Sequence, residues 1–250
     1  MSDRFLRNKD IINQKNLNEV TIIGAGGVGS ALILSAAIMG FKKIHIWDFD
    51  TLEEHNLSTT MYPESYLGKP KTKAAKDMVK YFGCKTEIVE HGEFGLFDTA
   101  TECLLMAPDN MEVRKIIYSV WSRNKNRKVL VDGRMGALSM DVHTIDKYND
   151  KYMDNWRPSR DIPDEPCTAK HTIFTANIIA GIMLSQLFNV LHQRSYYAYI
   201  YKSLAPYMTD SQGLVNPILN TRKTNDKETE TQTSVSKSES PLVIRSTQSR

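Results

Sequence analysis

The chain has few cysteines, and no two of them lie close together in the sequence. Cys84, Cys103 and Cys167 are the only three in 250 residues. Without a Cys-x-x-Cys pair, the sequence excludes a disulfide framework and a four-thiolate zinc site within one chain. The first ten residues, MSDRFLRNKD, are charged rather than apolar. These two features predict a cytoplasmic protein without a secretory signal.

An excess of charge of one sign is also missing. The chain has 32 Lys and Arg against 29 Asp and Glu, a net charge of +3, so there is no clear nucleic-acid signal, which would require clustered basic residues. One long apolar run, residues 173–191, is nearly long enough to span a bilayer. Because Asn177, Ser185, Gln186 and Asn189 interrupt it, we predict a helix buried in a protein core and no membrane span.

Apolar runs that are typical of strands alternate with runs that are typical of helices. The strand-like runs are EVTIIGA, KIHIWDFD, TEIVEH, ECLLMA and RKVLVDGRMGALSMDVHTI, the last of which predicts two strands with a turn at GRMG. The helix-like runs are GSALILSAAIMG, KPKTKAAKDMVKYFG and DNMEVRKIIYSVWSRN. This alternation predicts an α/β fold with a Rossmann-like, doubly wound, mostly parallel sheet and antiparallel strands at one edge.

The C-terminal part of the chain changes in composition. The polar stretch 146–166 predicts a lid or crossover loop, and residues 194–207, RSYYAYIYKSLAPY, are assigned to no element. From Thr221 onward the sequence has too little apolar content to fold. We therefore predict one domain over residues 1–220 and a disordered tail over residues 221–250.

Four glycines lie where the first predicted strand turns into a helix: Gly24, Gly26, Gly27 and Gly29. Glycines there permit a tight turn and allow backbone N–H groups to approach a phosphate at the helix N-terminus. Asp48 follows the second strand, where an acid can accept hydrogen bonds from a ribose. This combination predicts a nucleotide site, and by itself it fits NAD as well as ATP.

More polar side chains follow the same strands. In an open α/β sheet, ligands bind at the carboxyl ends of the strands. Lys71 ends the run GKPK near the start of a helix, and APDNMEVR follows the fourth strand. The candidate ligand-binding residues beyond the glycines are Asp48, Asp50, Glu54, Asn56, Lys71, Asp109, Asn110 and Arg114.

The ordered set resembles the ThiF–MoeB–HesA superfamily, whose larger members activate ubiquitin. The family's run is roughly G-x-G-G-x-G, D-x-D-x-V-x-x-S-N-L-x-R-Q, G-x-x-K and D-N-x-x-x-R. This chain has GAGGVG at 24–29, DFD at 48–50, EHNL at 54–57, GKPK at 68–71 and DNMEVR at 109–114. RFLRN, near the start, is similar to the family's R-Y-x-R-Q. The matches cover about residues 4–135.

The resemblance implies an ATP-dependent adenylyltransferase. Its substrate would be the C-terminal carboxylate of a small ubiquitin-like or sulfur-carrier protein, or of a peptide, which it would convert to an acyl adenylate with ATP and Mg²⁺. By position, the glycine turn would hold the nucleotide, Asp48 the ribose and Asn56 and Lys71 the phosphates. Asp109 would hold Mg²⁺, and Asp50 and Asn110 belong to the same nucleotide-binding set. Arg7 resembles the arginine that a second subunit inserts into its neighbour's site, which implies a homodimer.

The chain departs from the family pattern at one cation. Thr59 stands where the family has a phosphate-binding arginine, and the family's zinc-binding cysteine pairs are absent. Cys167 lies where family members place a thioester or persulfide cysteine, and a helix N-terminus with Lys170 and His171 nearby would lower the pKa of its thiol. Cys84 and Cys103 are interpreted as structural.

Other interpretations stay open at this point. Lys71 alone could be a solvated charge, Asp109 a helix N-cap, Arg7 a mobile terminal charge, and Arg114 a surface or salt-bridge residue. The glycine turn and Asp48 also fit an NAD-dependent oxidoreductase, although little chain is left after residue 150 for a substrate domain. Thr59 favours a non-catalytic ATP-binding scaffold. A tRNA-modifying variant would need a basic face.

Overall fold

The computed structural model describes residues 3–161, 171–205 and 207–216. These residues contain eight strands in one sheet, in the order β3-β2-β1-β4-β5-β6-β7-β8. The strands are β1 (Glu19–Ile23), β2 (Lys43–Trp47), β3 (Glu87–His91), β4 (Cys103–Met106), β5 (Val129–Met135), β6 (Ser139–Asp146), β7 (Tyr196–Leu204) and β8 (Tyr207–Val215). The helices are α1 (Gly27–Met39), α2 (Lys71–Tyr81), α3 (Met111–Arg123) and α4 (Ile173–Leu191).

The first five strands form the parallel half of the sheet. β1 pairs with β2 on one side and with β4 on the other, and β3 and β5 extend the two sides. The chain therefore winds outward in both directions from the boundary between β1 and β4. In a doubly wound sheet this boundary is the crevice where ligands bind. The predicted Rossmann-like fold is confirmed.

Side chains of the parallel strands alternate between two cores. Ile22, Leu105 and Val131 pack with α1, α2 and α4 on one face of the sheet, whereas Leu104 and Leu130 pack with α3 on the other. Because both faces are covered at the centre of the sheet, β1 and β4 are buried along nearly their whole length, whereas β2 is fully buried only at every second position. The two helical layers leave the carboxyl edge of the strands open.

Three strands in the second half are antiparallel: β6, β7 and β8 follow β5 in order. The predicted turn at GRMG is wrong in position, because β5 continues through Met135 and only Gly136 lies outside it. Gly133 lies within this strand, and a Cβ atom there would overlap the Sδ of Met183 on α4, which explains why the position is a glycine. The glycine serves close helix–sheet packing instead of a turn.

Most of residues 194–207, for which the sequence predicts no element, form β7. The sequence also does not predict β8, the hairpin partner of β7. The predicted buried helix corresponds to α4, which packs against α1 and β5. By length and composition alone α4 is apolar enough to cross a membrane, and 44% of its most apolar window is buried within the fold. The predicted tail, residues 221–250, lies outside the described residues and stays a prediction.

Candidate active site

The glycine turn between β1 and α1 is shaped by close backbone packing. Gly24 has a φ of +90°, and a Cβ atom there would lie 2.8 Å from the carbonyl oxygen of Ala107. A Cβ atom at Gly29 would overlap the carbonyl oxygen of Gly24 itself. Gly26, the N-cap of α1, has no neighbour within 4 Å of such an atom and no side-chain cap. The space beside the N-cap of α1 is therefore open, which suits an anion.

Asp48 is bound directly to this turn. Its Oδ2 accepts a hydrogen bond of 2.6 Å from the backbone N–H of Ala25, and its Oδ1 accepts one of 2.9 Å from that of Asp50. Burial raises the pKa of the Asp48 carboxyl, and the two backbone donors and Lys71 partly oppose this. Buried Tyr62 donates to the carbonyl oxygen of Ala25 at 2.9 Å. Asp48 is thus held in a fixed orientation at the mouth of the turn.

Lys71 begins α2 and points at the same edge. Its Nζ lies 2.6 Å from Oδ2 of Asp50, and its backbone N–H donates to the carbonyl oxygen of Asp50 at 2.9 Å. The residue is only 8% exposed, so the interpretation of Lys71 as a solvated charge is wrong. A buried ammonium group beside Asp48 and Asp50 is a cation available to a phosphate.

Asn56 and Thr59 lie in the segment that follows β2. Oδ1 of Asn56 accepts a 3.0 Å hydrogen bond from the backbone N–H of Glu53. No hydrogen bond of the Asn56 amide nitrogen occurs within the described ranges, so this nitrogen is free to donate to a ligand. The hydroxyl of Thr59 donates to the carbonyl oxygen of Asn56 at 3.2 Å, and the carbonyl oxygen of Thr59 would lie 2.9 Å from a Cβ atom at Gly27. Position 59 therefore adjoins the glycine turn.

Asp109 follows β4 on a loop that touches the glycine turn through Ala107 and Pro108. Its carboxylate is exposed, and in the part of the chain described it forms no hydrogen bond or ion pair. The N-cap of α3 is Asn110, whose Oδ1 accepts from the backbone N–H of Val113 at 3.0 Å. The suggestion that Asp109 caps this helix is therefore wrong, and its carboxylate is left for another partner.

The described residues contain no group of three or more His, Cys, Asp or Glu side chains arranged to hold a metal. Mg²⁺ that accompanies a nucleotide does not require such a group, because one or two carboxylates, phosphate oxygens and waters complete its shell. The exposed carboxylate of Asp109 fits this requirement. It is a hard oxygen ligand at the sheet edge where the phosphates would lie.

Several residues near the site were not predicted from the sequence. Buried Asp132 on β5 accepts hydrogen bonds from Arg134 and from Tyr152, and it forms an ion pair with Arg114. Of the two interpretations of Arg114 as a surface residue or a salt-bridge residue, the second is right, because Arg114 is buried and paired with Asp132. An acid inside the apolar strand VLVDGRM is the signal that could have identified Asp132.

The described part of the predicted crossover segment lies against the start of α3. The indole N–H of Trp156 donates to the carbonyl oxygen of Met111 at 3.0 Å, and Oγ of Ser159 accepts from the Met111 N–H at 3.1 Å. Ser159 also donates its backbone N–H to Glu112 at 3.0 Å. Residues 156–159 of this segment therefore lie beside the start of α3, next to Asp109 and Asn110 in the sequence, while the role of the segment as a lid stays a prediction.

Of the two other predicted catalytic residues, the structure describes only Arg7, and it does not bring Arg7 to the site. Arg7 is exposed in the N-terminal segment, which Arg4 ties to the end of α2 through a 2.9 Å hydrogen bond to the carbonyl oxygen of Gly83. Cys167 lies outside the described residues.

Cys103 is buried on β4, where burial raises the pKa of its thiol to about 12, and Cys84 is half-buried with a raised pKa from the same cause. Both thiols therefore stay protonated at neutral pH.

Solved structures with the same fold include those of MccB and PaaA. A crystal structure of E. coli MccB with ATP superposes with a TM-score of 0.65 at 16% identity, covering 86% of this chain and 72% of that one. A crystal structure of PaaA gives a TM-score of 0.64 at 19% identity, covering 84% and 79%. At these identities the likeness establishes the fold alone.

Curated relatives share a limited part of their length with this chain. SUMO-activating enzyme subunit 2 of Dictyostelium discoideum is 28% identical over 128 residues, which are 46% of this chain and 19% of the relative. Adenylyltransferase and sulfurtransferase MOCS3-2 of Zea mays is 35% identical over 81 residues, 31% of this chain and 17% of the relative. The chain thus spans about a fifth of the relatives it matches. The ThiF family matches residues 7–230, nearly the whole chain, and the chain therefore belongs to the ThiF family.

Proposed function

We propose that the chain is an ATP-dependent adenylyltransferase. It activates the C-terminal carboxylate of a small ubiquitin-like or sulfur-carrier protein, or of a peptide, as an acyl adenylate. The observation that carries this proposal is the convergence of the glycine turn, Asp48, Lys71 and Asp109 at one edge of the sheet. These residues stand in the order that the ThiF family requires.

The proposed reaction overcomes the poor reactivity of a carboxylate. One carboxylate oxygen attacks the α-phosphorus of ATP, the bond from that phosphorus to the bridging oxygen breaks, and pyrophosphate leaves with the electron pair. Positioning of the reactants and neutralisation of phosphate charge supply most of the catalysis. Lys71 and the N-terminus of α1 provide positive potential, Asp48 binds the ribose, and Asn56 donates to a phosphate. Asp109 is the residue that would hold Mg²⁺, which supplies further charge neutralisation when bound.

The names of relatives support the substrate class. The relatives include enzymes named for SUMO activation and for adenylyl and sulfur transfer, and MccB has been crystallised with MccA. We extend to this chain the common property of these substrates, a protein or peptide that offers a carboxyl group.

Three expectations from the sequence belong to the same proposal. Arg7 acts in the site of a second copy, so that the active form is a homodimer. Cys167 receives the acyl group as a thioester or carries sulfur to it. The reaction takes place in the cytoplasm. The exposure of Arg7 and the attachment of its segment to Gly83, at the far end of α2 from Lys71, support action in a partner.

Exchange of labelled pyrophosphate into ATP tests the proposed reaction. Candidate proteins or peptides are supplied with a free C-terminal carboxylate and, as the matched control, with a C-terminal amide. We expect exchange only with the free acid and its loss in Asp109→Ala. If wild type and Asp109→Ala are equally silent with every candidate although ATP binds, the adenylyltransferase proposal fails.

Thr59 favours a second candidate, a non-catalytic ATP-binding scaffold with the same fold. Its pocket lacks one cation relative to the family pattern, so ATP would bind without release of pyrophosphate. The NAD-dependent oxidoreductase is tested in the same preparation. Saturable enhancement of NADH fluorescence at micromolar concentrations would favour it, whereas competition by ATP alone would favour a mononucleotide site.

A further inference from the structure

Arg114 is a deeply buried guanidinium beside the candidate metal-binding loop. Its side chain is 5% exposed, and it extends from α3 toward the end of β4. Nη1 forms an ion pair with Asp132, and Nη2 donates to the carbonyl oxygen of Pro108 and, at 3.0 Å, to that of Gly133. One side chain thus connects α3, β5 and the loop that carries Asp109.

The partner of Arg114 is itself held in one orientation. Asp132 has no exposed surface, and its Oδ2 accepts from Nε of Arg134 at 2.8 Å and from the hydroxyl of Tyr152 at 2.9 Å. Its Oδ1 faces Arg114. With both oxygens bound, the carboxylate cannot turn without losing charge-assisted hydrogen bonds. The guanidinium plane of Arg114 is therefore fixed by its surroundings rather than by its own long side chain.

The hydrogen bond to Pro108 has a direct consequence for Asp109. The carbonyl group of Pro108 and the backbone nitrogen of Asp109 belong to the same planar peptide unit. The ring of Pro108 restricts the φ angle of Pro108 itself. A donor that holds this carbonyl oxygen therefore sets the direction in which the chain enters Asp109. Within the described residues the Asp109 carboxylate forms no hydrogen bond or ion pair, and it is attracted electrostatically to Arg114 itself. The backbone at Pro108 and the charge of Arg114 therefore place it together.

We infer that Arg114 is a positioning residue for the metal ligand of the proposed reaction. It fixes the peptide unit between Pro108 and Asp109, and so sets where the chain presents the Asp109 carboxylate, which would hold the divalent cation that accompanies a nucleotide. Arg114 itself touches neither metal nor nucleotide. This inference rests on the proposed function, because it requires that a metal–nucleotide complex binds here.

A lysine cannot replace this arrangement. The planar guanidinium donates in several directions at once, to Asp132, Pro108 and Gly133, whereas a lysine has one nitrogen on a flexible stem. Arg114→Lys keeps the positive charge that Asp132 requires but loses the simultaneous hold on the Pro108 carbonyl. The substitution therefore separates charge balance in the core from the positioning of Asp109.

Binding of Mn²⁺ as a spectroscopic substitute for Mg²⁺ tests the inference without turnover. The free Mn²⁺ signal is titrated by electron paramagnetic resonance with the full chain and a non-hydrolysable ATP analogue. In Arg114→Lys we expect the Mn²⁺ dissociation constant of the ternary complex to rise by about 10- to 100-fold, the range found for residues that orient metal ligands. Affinity for the analogue without metal is expected to stay within about two-fold, because Asp48 and the glycine turn are unchanged.

Arg123→Lys is the matched control, since Arg123 lies on the same helix and, among the described residues, its side chain donates a hydrogen bond only to the carbonyl oxygen of Ser119. It should leave both constants at wild-type values. If Arg114→Lys fails to fold, as judged by its urea unfolding transition, Tyr152→Phe replaces it. That variant removes one of the hydrogen bonds that orient Asp132, and we expect Mn²⁺ binding weaker by about three-fold or more.

The outcomes distinguish the inference from the function on which it rests. If wild type shows no Mn²⁺ binding that depends on the analogue, the proposed function fails. If wild type binds the complex and the folded Arg114→Lys variant, or Tyr152→Phe in its place, has the wild-type Mn²⁺ constant, the positioning role is overturned alone. An equal loss of metal-bound and metal-free analogue affinity would also overturn it, because a general structural defect would explain that result.

Discussion

The ammonium group of Lys71 lies 2.6 Å from the Oδ2 of Asp50, with the lysine side chain 9% exposed and the aspartate 49% exposed. The cation is therefore buried while its counterion remains open to solvent. A triphosphate at the glycine turn can take over Lys71 as Asp50 turns outward, because an exposed carboxylate is easily rehydrated. Lys71 is thus held ready for an anionic ligand without an unpaired charge in the core.

Replacement of Lys71 by methionine tests this relationship. Methionine keeps most of the buried volume, so the chain should still fold. We expect pyrophosphate exchange to fall by about 10²- to 10³-fold, the usual cost of losing one group that stabilises developing charge in the transition state. Exchange assays at saturating ATP, together with circular dichroism, measure the effect and check the fold.

Lys73→Met is the matched control for this variant. Lys73 lies one half-turn further along α2 and pairs with Asp77 at 3.1 Å on an exposed face. Its loss should leave exchange at the wild-type rate. Equal effects of the two substitutions would mean that a general loss of positive charge, and not the position of Lys71, limits the reaction.

Restoring the cation that the family has at position 59 gives a second test. The backbone of Thr59 lies against Gly27, so an arginine there is placed to reach phosphates at the N-terminus of α1. We expect Thr59→Arg to raise the exchange rate by about 10-fold or more, because an added cation lowers the barrier to charge transfer onto pyrophosphate. If wild type is a scaffold without turnover, this variant is the one in which turnover should appear.

Ser58→Arg serves as the control for added charge, since Ser58 is exposed next to Thr59. An equal gain in both variants would indicate long-range attraction of ATP rather than a specific contact. Salt distinguishes the two cases, because attraction over more than about 10 Å is screened at ionic strengths near 0.1 M. A decrease in exchange by Thr59→Arg would show that the pocket has closed around threonine.

The parallel half of the fold was predictable because its signals are local. Strand-like runs alternate with helical runs, and the glycines at 24–29 predict a turn that no other residue type can form as tightly. Motif order also predicted that Asp48 and Lys71 would meet at one edge, because the ends of parallel strands meet there. These inferences require only knowledge of neighbouring residues and of the sheet's topology.

The remainder depends on contacts that no local pattern contains. Gly133 was interpreted as part of a turn because a turn is the commonest reason for glycine, and only the position of Met183 shows the packing reason. The strand β8 escaped prediction because its apolar residues lie only at its two ends, with TDSQG between them, and because it is an edge strand of the sheet. Arg114 and Asp132 are 18 positions apart in the sequence, so only the fold shows that they form a pair.

His143 predicts a measurable dependence of stability on pH. It is buried on β6, and burial, with the cations of Arg134 and Arg114, lowers the pKa of its imidazole to about 3. Between this value and the ordinary pKa of about 6.5, the unfolded chain binds a proton that the folded chain does not, so the free energy of unfolding falls as the pH falls. In His143→Gln we expect the loss of stability from about pH 7 to 4.5 to be smaller by roughly 2 kcal/mol.

Urea unfolding at a series of pH values measures this difference. His55→Gln is the control for removal of an imidazole, because the His55 side chain is 74% exposed, and its pH dependence should follow that of wild type. Identical pH dependence in His143→Gln and wild type would show that the buried imidazole does not remain neutral in the folded protein. A uniform drop in stability at all pH values would indicate lost packing only.

The glycine turn allows stability and ligand binding to be separated by two substitutions three residues apart. A Cβ atom at Gly29 would overlap the carbonyl oxygen of Gly24, whereas one at Gly26 would meet nothing within 4 Å. We expect Gly29→Ala to destabilise the fold by about 3 kcal/mol or more, since the backbone carbonyl group of Gly24 cannot move aside as a flexible side chain can.

Gly26→Ala should change the free energy of unfolding by less than about 0.5 kcal/mol, because Gly26 has an ordinary negative φ. Its methyl group would occupy the space before α1, so ATP affinity should fall by about 10-fold or more. Urea unfolding and calorimetric titration with ATP check the pair, and unchanged ATP affinity in Gly26→Ala would move the phosphate site away from the start of α1.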